Sequence, residues 1–388
     1  MFKSLKNRTP LGWLQLKHDK MKMLTALAGI AFADILMFMQ LGFKDALFTT
    51  NTQYPRLIDG DIVLLSTQAT NFNKLYTFPR RRLYQAMDVP GVESAEAVYI
   101  GSLNWRNPQT KEKTSMMVVG FDPQKPAFDL PEVNSQLDQV KIPDTVLFDR
   151  ASRGKYDQVI ARIEQGQTVT TENDRNTITI AGLFEVGASF ADDGALITSD
   201  YNFLRLFPKK QQGTVSLGII NLEAGQDVVA VRQALNAYLS EDVEAYTHAE
   251  YVDKEVAYIQ NRSPIGFVFT LGTTMGFIVG IVIVYQVLST DVNDHIAEYA
   301  TFKAMGYKNS YLLFVVFEEA LILSVAGFIP SVALALGLYR LTAAATALPI
   351  VLPLSRAITV LILTMIMCGV SGAIATRKLQ SADPADIF

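Results

Sequence analysis

Three histidines, His18, His248 and His295, and one cysteine, Cys368, lie far apart in the chain. They form no H-E-x-x-H pair that would set two imidazoles on one helical face, so no zinc-hydrolase chemistry follows and the histidines read as surface groups. Ser152-Arg153-Gly154-Lys155 matches S-x-x-K, in which a serine attacks an acyl carbonyl, but S-D-N and K-T-G are absent. No G-x-x-x-x-G-K-[ST] loop cradles a triphosphate, since Gly154-Lys155 lacks the earlier glycine. The sequence therefore offers no catalytic residue, no metal set and no cofactor site, and the chain is not its own ATP-driven motor.

Three acids stand where charge is costly. Asp34 lies in the middle of one long apolar run, and Glu318 and Glu319 lie two to three turns into another. A proton relay is the sharper chemistry for such groups; hydrogen bonding between helices, or a hydrated crevice, is the alternative. Neighbouring residues on a helix project about 100° apart, so the two glutamates cannot face one partner. Gly272, Gly276 and Gly280 make a doubled G-x-x-x-G that lines three residues without side chains along one face. Such a face permits close helix approach, within one chain or between two copies of it.

The elements that would hold these residues are membrane spans. Hydrophobic residues make up 49% of the 388 and the mean hydropathy is +0.20, too apolar for an ordinary soluble enzyme. The formal net charge of -4 gives no basic surface for nucleic acid, and a single cysteine excludes an intrachain disulfide. Residues 1–22 carry six basic residues against Asp19, with Trp13 among leucines, and read as a cytoplasmic amphipathic helix. Apolar runs at 23–43, 264–288, 311–339 and 357–375 have the length of spans. Arg377 and Lys378 after the last run agree with both termini in the cytoplasm, leaving a short tail at 376–388.

The fold class expected is thus a polytopic α-helical membrane protein with four transmembrane helices. A large α/β or α+β extracytoplasmic domain, residues 44–262, is inserted between the first and second helices. Strands are expected at 61–66, 95–103, 114–121, 177–183 and 215–222, and helices at 79–87 and 227–239. More turn residues between about 123 and 212 suggest an inserted lobe. Residues 247–262 carry no turn signal before Pro264 and read as a helical stalk.

Residues 289–308, STDVNDHIAEYATFKAMGYK, join two spans and are too polar for hydrocarbon. Asp291 or Asn293 can cap a helix start and Gly306 can end it; Val292, Ile296, Tyr299, Phe302 and Met305 recur on one side. The stretch is either an interfacial helix lying on lipid or a docking helix for a cytoplasmic partner.

The order of span, polar helix ending A-x-G, and span, with the large domain before it, resembles the MacB/FtsX-like permeases of ABC systems. Their pattern is approximately E-R-x-x-E-I-G-x-x-x-A-x-G. Glu298, Ala304 and Gly306 match it; Asp294 and His295 stand where Glu and Arg are usual, and Tyr299 and Ala300 replace Ile-Gly. LGWLQLKHDK at 11–20, LAGIAFADILMFMQLGF at 27–43 and RKLQSADPADIF at 377–388 look like the DevC permeases of cyanobacteria. The resemblance implies an inner-membrane exporter subunit whose separate ABC ATPase binds the ATP. It also implies a periplasmic membrane-fusion adaptor, a TolC-type outer-membrane channel, a homodimer and an amphipathic or glycolipid cargo. Residues 289–308 would be the coupling helix. An FtsX-like regulator of a cell-wall hydrolase and a lipoprotein-release permease are the alternatives within the same resemblance.

Overall fold

The computed structural model describes residues 20–376 apart from 174–175, 211–212 and 308. The basic helix expected over 1–22, except its last three residues, and the tail beyond Thr376 lie outside the described residues. The chain divides into two compact units. One is drawn from Met1–Asp45, Phe267–Thr342 and Ile350–Phe388, the other from Ala46–Gly266 and Ala343–Pro349.

Helix α1 (Lys20–Leu57) supplies residues to both units. There follow β1 (Ile62–Ser66), β2 (Phe78–Pro79), α2 (Arg81–Ala86), β3 (Val92–Arg106), β4 (Lys113–Phe121) and α3 (Pro131–Asn134). Next come β5 (Thr145–Asp149), α4 (Asp157–Glu164), β6 (Val169–Glu172), β7 (Thr177–Phe184), β8 (Gly194–Ser199) and α5 (Asp200–Leu206). The sheet unit closes with β9 (Thr214–Val215), β10 (Leu217–Leu222), α6 (Val228–Tyr238), β11 (Val243–Thr247) and α7 (His248–Asn261). The remaining helices are α8 (Pro264–Asp294), α9 (Ile296–Ala304), α10 (Asn309–Thr346) and α11 (Leu354–Ala375).

Nine strands form one mixed sheet in the order β11-β1-β10-β3-β4-β8-β5-β7-β6. The β4·β8 and β5·β7 pairs are parallel and the others antiparallel. Residues 123–212 hold β5 to β8, and these strands extend the same sheet through the register Met116↔Gly194 to Phe121↔Ser199. Side chains alternate between two cores: Ile62 and Leu64 of β1 enter one, Val63 and Leu65 the other. Leu83, Val159, Phe203 and Leu235 bring α2, α4, α5 and α6 to the first core. Tyr54, Val133 and Tyr251 bring α1, α3 and α7 to the second. Helices therefore cover both faces, and a strand such as β5 is buried along its whole length.

Local sequence fixes the helix starts in this unit. Asp227 accepts the Val229 and Ala230 amides at the head of α6. At α7 a full capping box forms: the Thr247 hydroxyl accepts from the Glu250 amide, and the Glu250 carboxylate accepts from the Thr247 amide.

Four helices are long and apolar enough to cross a membrane: Lys20–Leu57, Pro264–Asp294, Leu313–Thr346 and Leu354–Ala375. In the helical unit they meet through Ala26, Ile30 and Ala33, Val284 and Leu288, Ala320 and Leu323, and Met367 and Cys368. Small residues are needed here because lipid gives no hydrophobic drive for association, and packing must supply the attraction. The α8 glycines face neighbours of the same chain. A Cβ at Gly272 would lie 2.5 Å from Gln40, one at Gly276 3.3 Å from Leu36, and one at Gly280 2.9 Å from Ala33 and within contact of Met367.

Gly280→Leu should therefore destabilise the helical unit by about 1–3 kcal/mol through overpacking, leaving the particle mass in detergent unchanged. Thermal unfolding with light scattering checks both. A variant of unchanged stability but smaller mass would assign the glycine face to contact between copies.

Candidate functional site

The site is built around the break between α8 and α9. Helix α8 continues through Ser289–Asp294 and stops where His295 adopts φ -99°, ψ 14°. The polar stretch is thus two pieces, the last turns of the long helix and a nine-residue helix, α9. Asp291 and Asn293 lie inside α8 and cap no helix start.

Gly306 ends α9 at φ +90°, where an L side chain is strained. The Gly306 amide donates to Lys303 O and the Tyr307 amide to Phe302 O, each at 3.0 Å, which is the Schellman arrangement with glycine at its left-handed position. The apolar contact that accompanies this cap is present: the Phe302 and Tyr307 rings stand edge to face at 5.6 Å, and Tyr311 of α10 packs on Tyr307 at 4.8 Å.

Val292 and Val316 are fully buried together, with Ile296, Phe302 and Tyr311 packed against them. Val292, Ile296 and Phe302 of the apolar side are therefore turned onto α10 of their own chain, whereas Met305 is exposed. Ala297, Glu298 and Thr301 are left exposed.

The residues expected to act together are divided. Asp294 bonds Lys22 of α1 at 2.5 Å. His295 turns inward, its Nδ1 3.0 Å from Asp291 O and 3.6 Å from Asp291 Oδ1. A carbonyl only accepts, so Nδ1 carries the hydrogen. Glu298 points outward, Gly306 forms the cap, and the Ala304 side chain is outside the described set.

The intramembrane acids separate as their angular spacing requires. Glu319 is 1% exposed and faces Asp291, whereas Glu318 is half-buried. Asp34 is fully buried and accepts from Ser331 Oγ at 3.0 Å and Thr364 Oγ1 at 2.6 Å, tying α1 to α10 and α11.

A second polar cluster carried no signal in the sequence reading. Arg356, 6% exposed, donates through Nε to Asp45 at 3.1 Å, and through Nη1 to Val351 O at 2.7 Å and Tyr339 Oη at 3.1 Å. Tyr339 donates in turn to Phe38 O. At about 1.5 Å per residue, Lys22 and Asp45 are roughly 35 Å apart on α1, a little more than the hydrocarbon thickness of about 30 Å. The one available cue was an arginine and an aspartate each flanking an apolar run.

In the sheet unit, Ser152 is buried and its hydroxyl donates to Asp149 O at 2.6 Å, closing a turn rather than meeting Lys155. Asp149 is fully buried; burial raises its pKa, against which the Gly187, Val186 and Ala151 amides act. A groove of about 500 Å³ is lined by Phe48, Thr52, Arg56, Leu130, Val186 and Val256. Among the described residues no three side chains are grouped as metal ligands.

Residues 270–384 match the family described as FtsX-like permease C-terminal, a match over less than a third of the chain. No curated protein matches the sequence. Among solved structures, the periplasmic region of MacB from Actinobacillus actinomycetemcomitans aligns with 56% of this chain and 99% of its own, at 11% identity and a TM-score of 0.35. The extracellular domain of the noncanonic ABC-type transporter YknZ from Gram-positive bacteria aligns with 48% of this chain and 98% of its own, at 13% identity and a TM-score of 0.31. A domain of a permease protein from Porphyromonas gingivalis aligns at 13% identity and a TM-score of 0.30, covering 50% of this chain and 89% of its own. Superpositions at these scores carry no functional argument. The helices and the sequence match together define a multi-pass membrane protein. The stretch 270–384 is the part similar to an FtsX-like permease C-terminal domain.

The two ion pairs should differ in weight. Lys22 and Asp294 are 35% and 50% exposed, so Asp294→Asn should cost under about 1 kcal/mol. Arg356→Met removes the donor to the enclosed Tyr339 hydroxyl and should cost about 1–3 kcal/mol. Thermal unfolding of both variants in detergent checks this order, and equal losses would contradict it.

Proposed function

We propose that the chain is the permease subunit of an ABC exporter, coupling ATP binding and hydrolysis in a separate ATPase to motion of the sheet unit on the periplasmic side. The supporting observation is the orientation of α9. Ile296 and Phe302 of its apolar face are packed with Val316 and Tyr311 of α10, so the exposed face with Glu298 is the one offered to a partner. Lipid would take the apolar face, whereas a protein groove takes the polar one. In this reading Glu298 makes a charged contact with the ATPase, Asp294 and His295 hold the α8 end through Lys22 and Asp291, and Gly306 turns the chain into α10.

The family resemblance extends the reading to an inner-membrane tripartite system of DevC type, with both termini in the cytoplasm. Its parts are a second copy of the chain, a membrane-fusion adaptor and a TolC-type channel, with an amphipathic or glycolipid cargo. The α8 glycines already face α1 and α11, so a second copy would dock through other surfaces.

The decisive measurement is ATP hydrolysis by the partner ATPase reconstituted with wild-type, Glu298→Ala or Gly306→Val chains, with co-purification of the ATPase. Loss of a charge-assisted contact costs about 1.5–3 kcal/mol, so Glu298→Ala should lower partner affinity roughly tenfold to hundredfold. Gly306→Val should uncouple by straining the cap. Wild-type stimulation and recovery with both variants would remove α9 as the coupling element.

A further inference from the structure

On α7 the residues at one helical face are Tyr251, Glu255 and Ile259, and all three are buried. Glu255 is 2% exposed, at a position where helical periodicity calls for an apolar side chain. Its Oε1 has no hydrogen-bond partner among the described residues, nor has the enclosed Tyr251 hydroxyl one turn earlier. The carboxyl does receive one donor, the Phe72 amide.

Phe72 belongs to the segment 67–76, which touches α1 as well. The Phe72 ring stacks on Tyr54 at 5.8 Å and 4°, and Asn73 Nδ2 donates to Asn51 Oδ1 at 2.8 Å. Asn71 Oδ1 in the same segment is also enclosed without a partner. The segment thus bridges α1 and α7, the helices at the two ends of the stretch Ala46–Gly266.

We propose that Glu255 is a proton-operated switch: protonated, it stays buried and holds segment 67–76 as a buckle between α1 and α7; ionised, it leaves the core and the buckle opens. A buried carboxylate with a single neutral amide donor is poorly compensated, whereas the neutral acid carries no charge to be desolvated.

Burial pushes the Glu255 pKa from 4.5 up to about 7, with the Phe72 amide and the charge of Lys254 acting the other way. An acid held higher in the fold than in the unfolded chain keeps its proton longer when folded. Stability therefore falls as pH climbs from 4.5 through 7.

Neighbouring charges do not replace this response. Lys254, on the same helix, donates to Tyr246 of β11 at 3.0 Å and lies over its ring at 4.3 Å. Glu244 of β11 bonds the same Tyr246. On α1, Tyr54 is buried and Arg56 is exposed, as is Lys74 in the bridging segment. His248, in the first turn of α7, bonds Pro55 O at 2.8 Å, so it ties α7 to α1 independently of Glu255. The switch needs no partner; on the functional reading above, the pH it registers is that outside the membrane.

Hydrogen–deuterium exchange of the full chain in detergent, from about pH 5.5 to about pH 8.5 and corrected for intrinsic rates, tests it. In the wild type, amides of 67–76 and the middle of α7 should open up to roughly tenfold more per pH unit as pH rises toward about 7, and level off above it. Glu255→Gln, a neutral mimic of the protonated acid, should stay closed throughout, and His248→Gln should respond as the wild type does. A flat wild-type profile overturns the proposal, as does an unaltered response in Glu255→Gln or a lost one in His248→Gln. Should Glu255→Gln fail to fold, the wild-type and His248→Gln profiles still decide. No ATPase enters the experiment, so it stands or falls apart from the permease assignment.

Discussion

A hydrocarbon surround offers no hydrogen-bond partner, and the helical unit is arranged around that lack. Several buried polar side chains inside it find partners on another helix or on their own backbone. Asp34 takes the hydroxyls of Ser331 and Thr364, and Ser371 reaches Ile281 O on α8 as well as Met367 O on its own helix. Arg356 gathers Asp45, Tyr339 and Val351. Packing among alanines and glycines sets how near the helices come, but these bonds set which turn faces which. A helix rotated by one residue would strand a carboxylate or a guanidinium in lipid, a far larger cost than a misplaced methyl group.

The sheet unit obeys a different constraint and was less evenly legible. Strands β1, β3, β4, β7 and β10 could be read from β-branched and apolar runs, α2 and α6 from helical patterning, and α7 from the lack of a turn signal before Pro264. Strands β5 and β8 escaped because both faces of the sheet are covered: TVLFD and GALITS are buried at every position and show no polar alternation. Their short apolar character is equally that of a buried helical turn, and only pairing with β4 and β7 decides. The turn-rich composition of 123–212 records the many connections between these strands, and the strands themselves continue the one sheet.

Gly306 was legible in the site because a glycine after a short periodic run has one common use, and its dihedral angle fulfils it. The roles of Asp294 and His295 were not, since the family pattern places them on one helix with Glu298. The chain breaks at His295, which sends Asp294 toward Lys22 and His295 toward Asp291. Both contacts join residues that the sequence alone gives no reason to pair. The Arg356 cluster is harder still, for Asp45 and Arg356 are separated by nearly the whole chain and meet only because α1 and α11 pack side by side.

Helix α9 has nine residues, too few to persist alone in water. What keeps it helical is its anchorage: Val292 and Ile296 against Val316 at one end, and the Phe302, Tyr307 and Tyr311 rings with the glycine cap at the other. Both anchors lie on the first turns of α10. A displacement imposed on the exposed face of α9 is therefore delivered to α10 through packed side chains, whereas toward α8 it meets the single irregular residue His295. That asymmetry makes α10, which carries Glu319 and Ser331, the stiffer path from this surface into the helical unit.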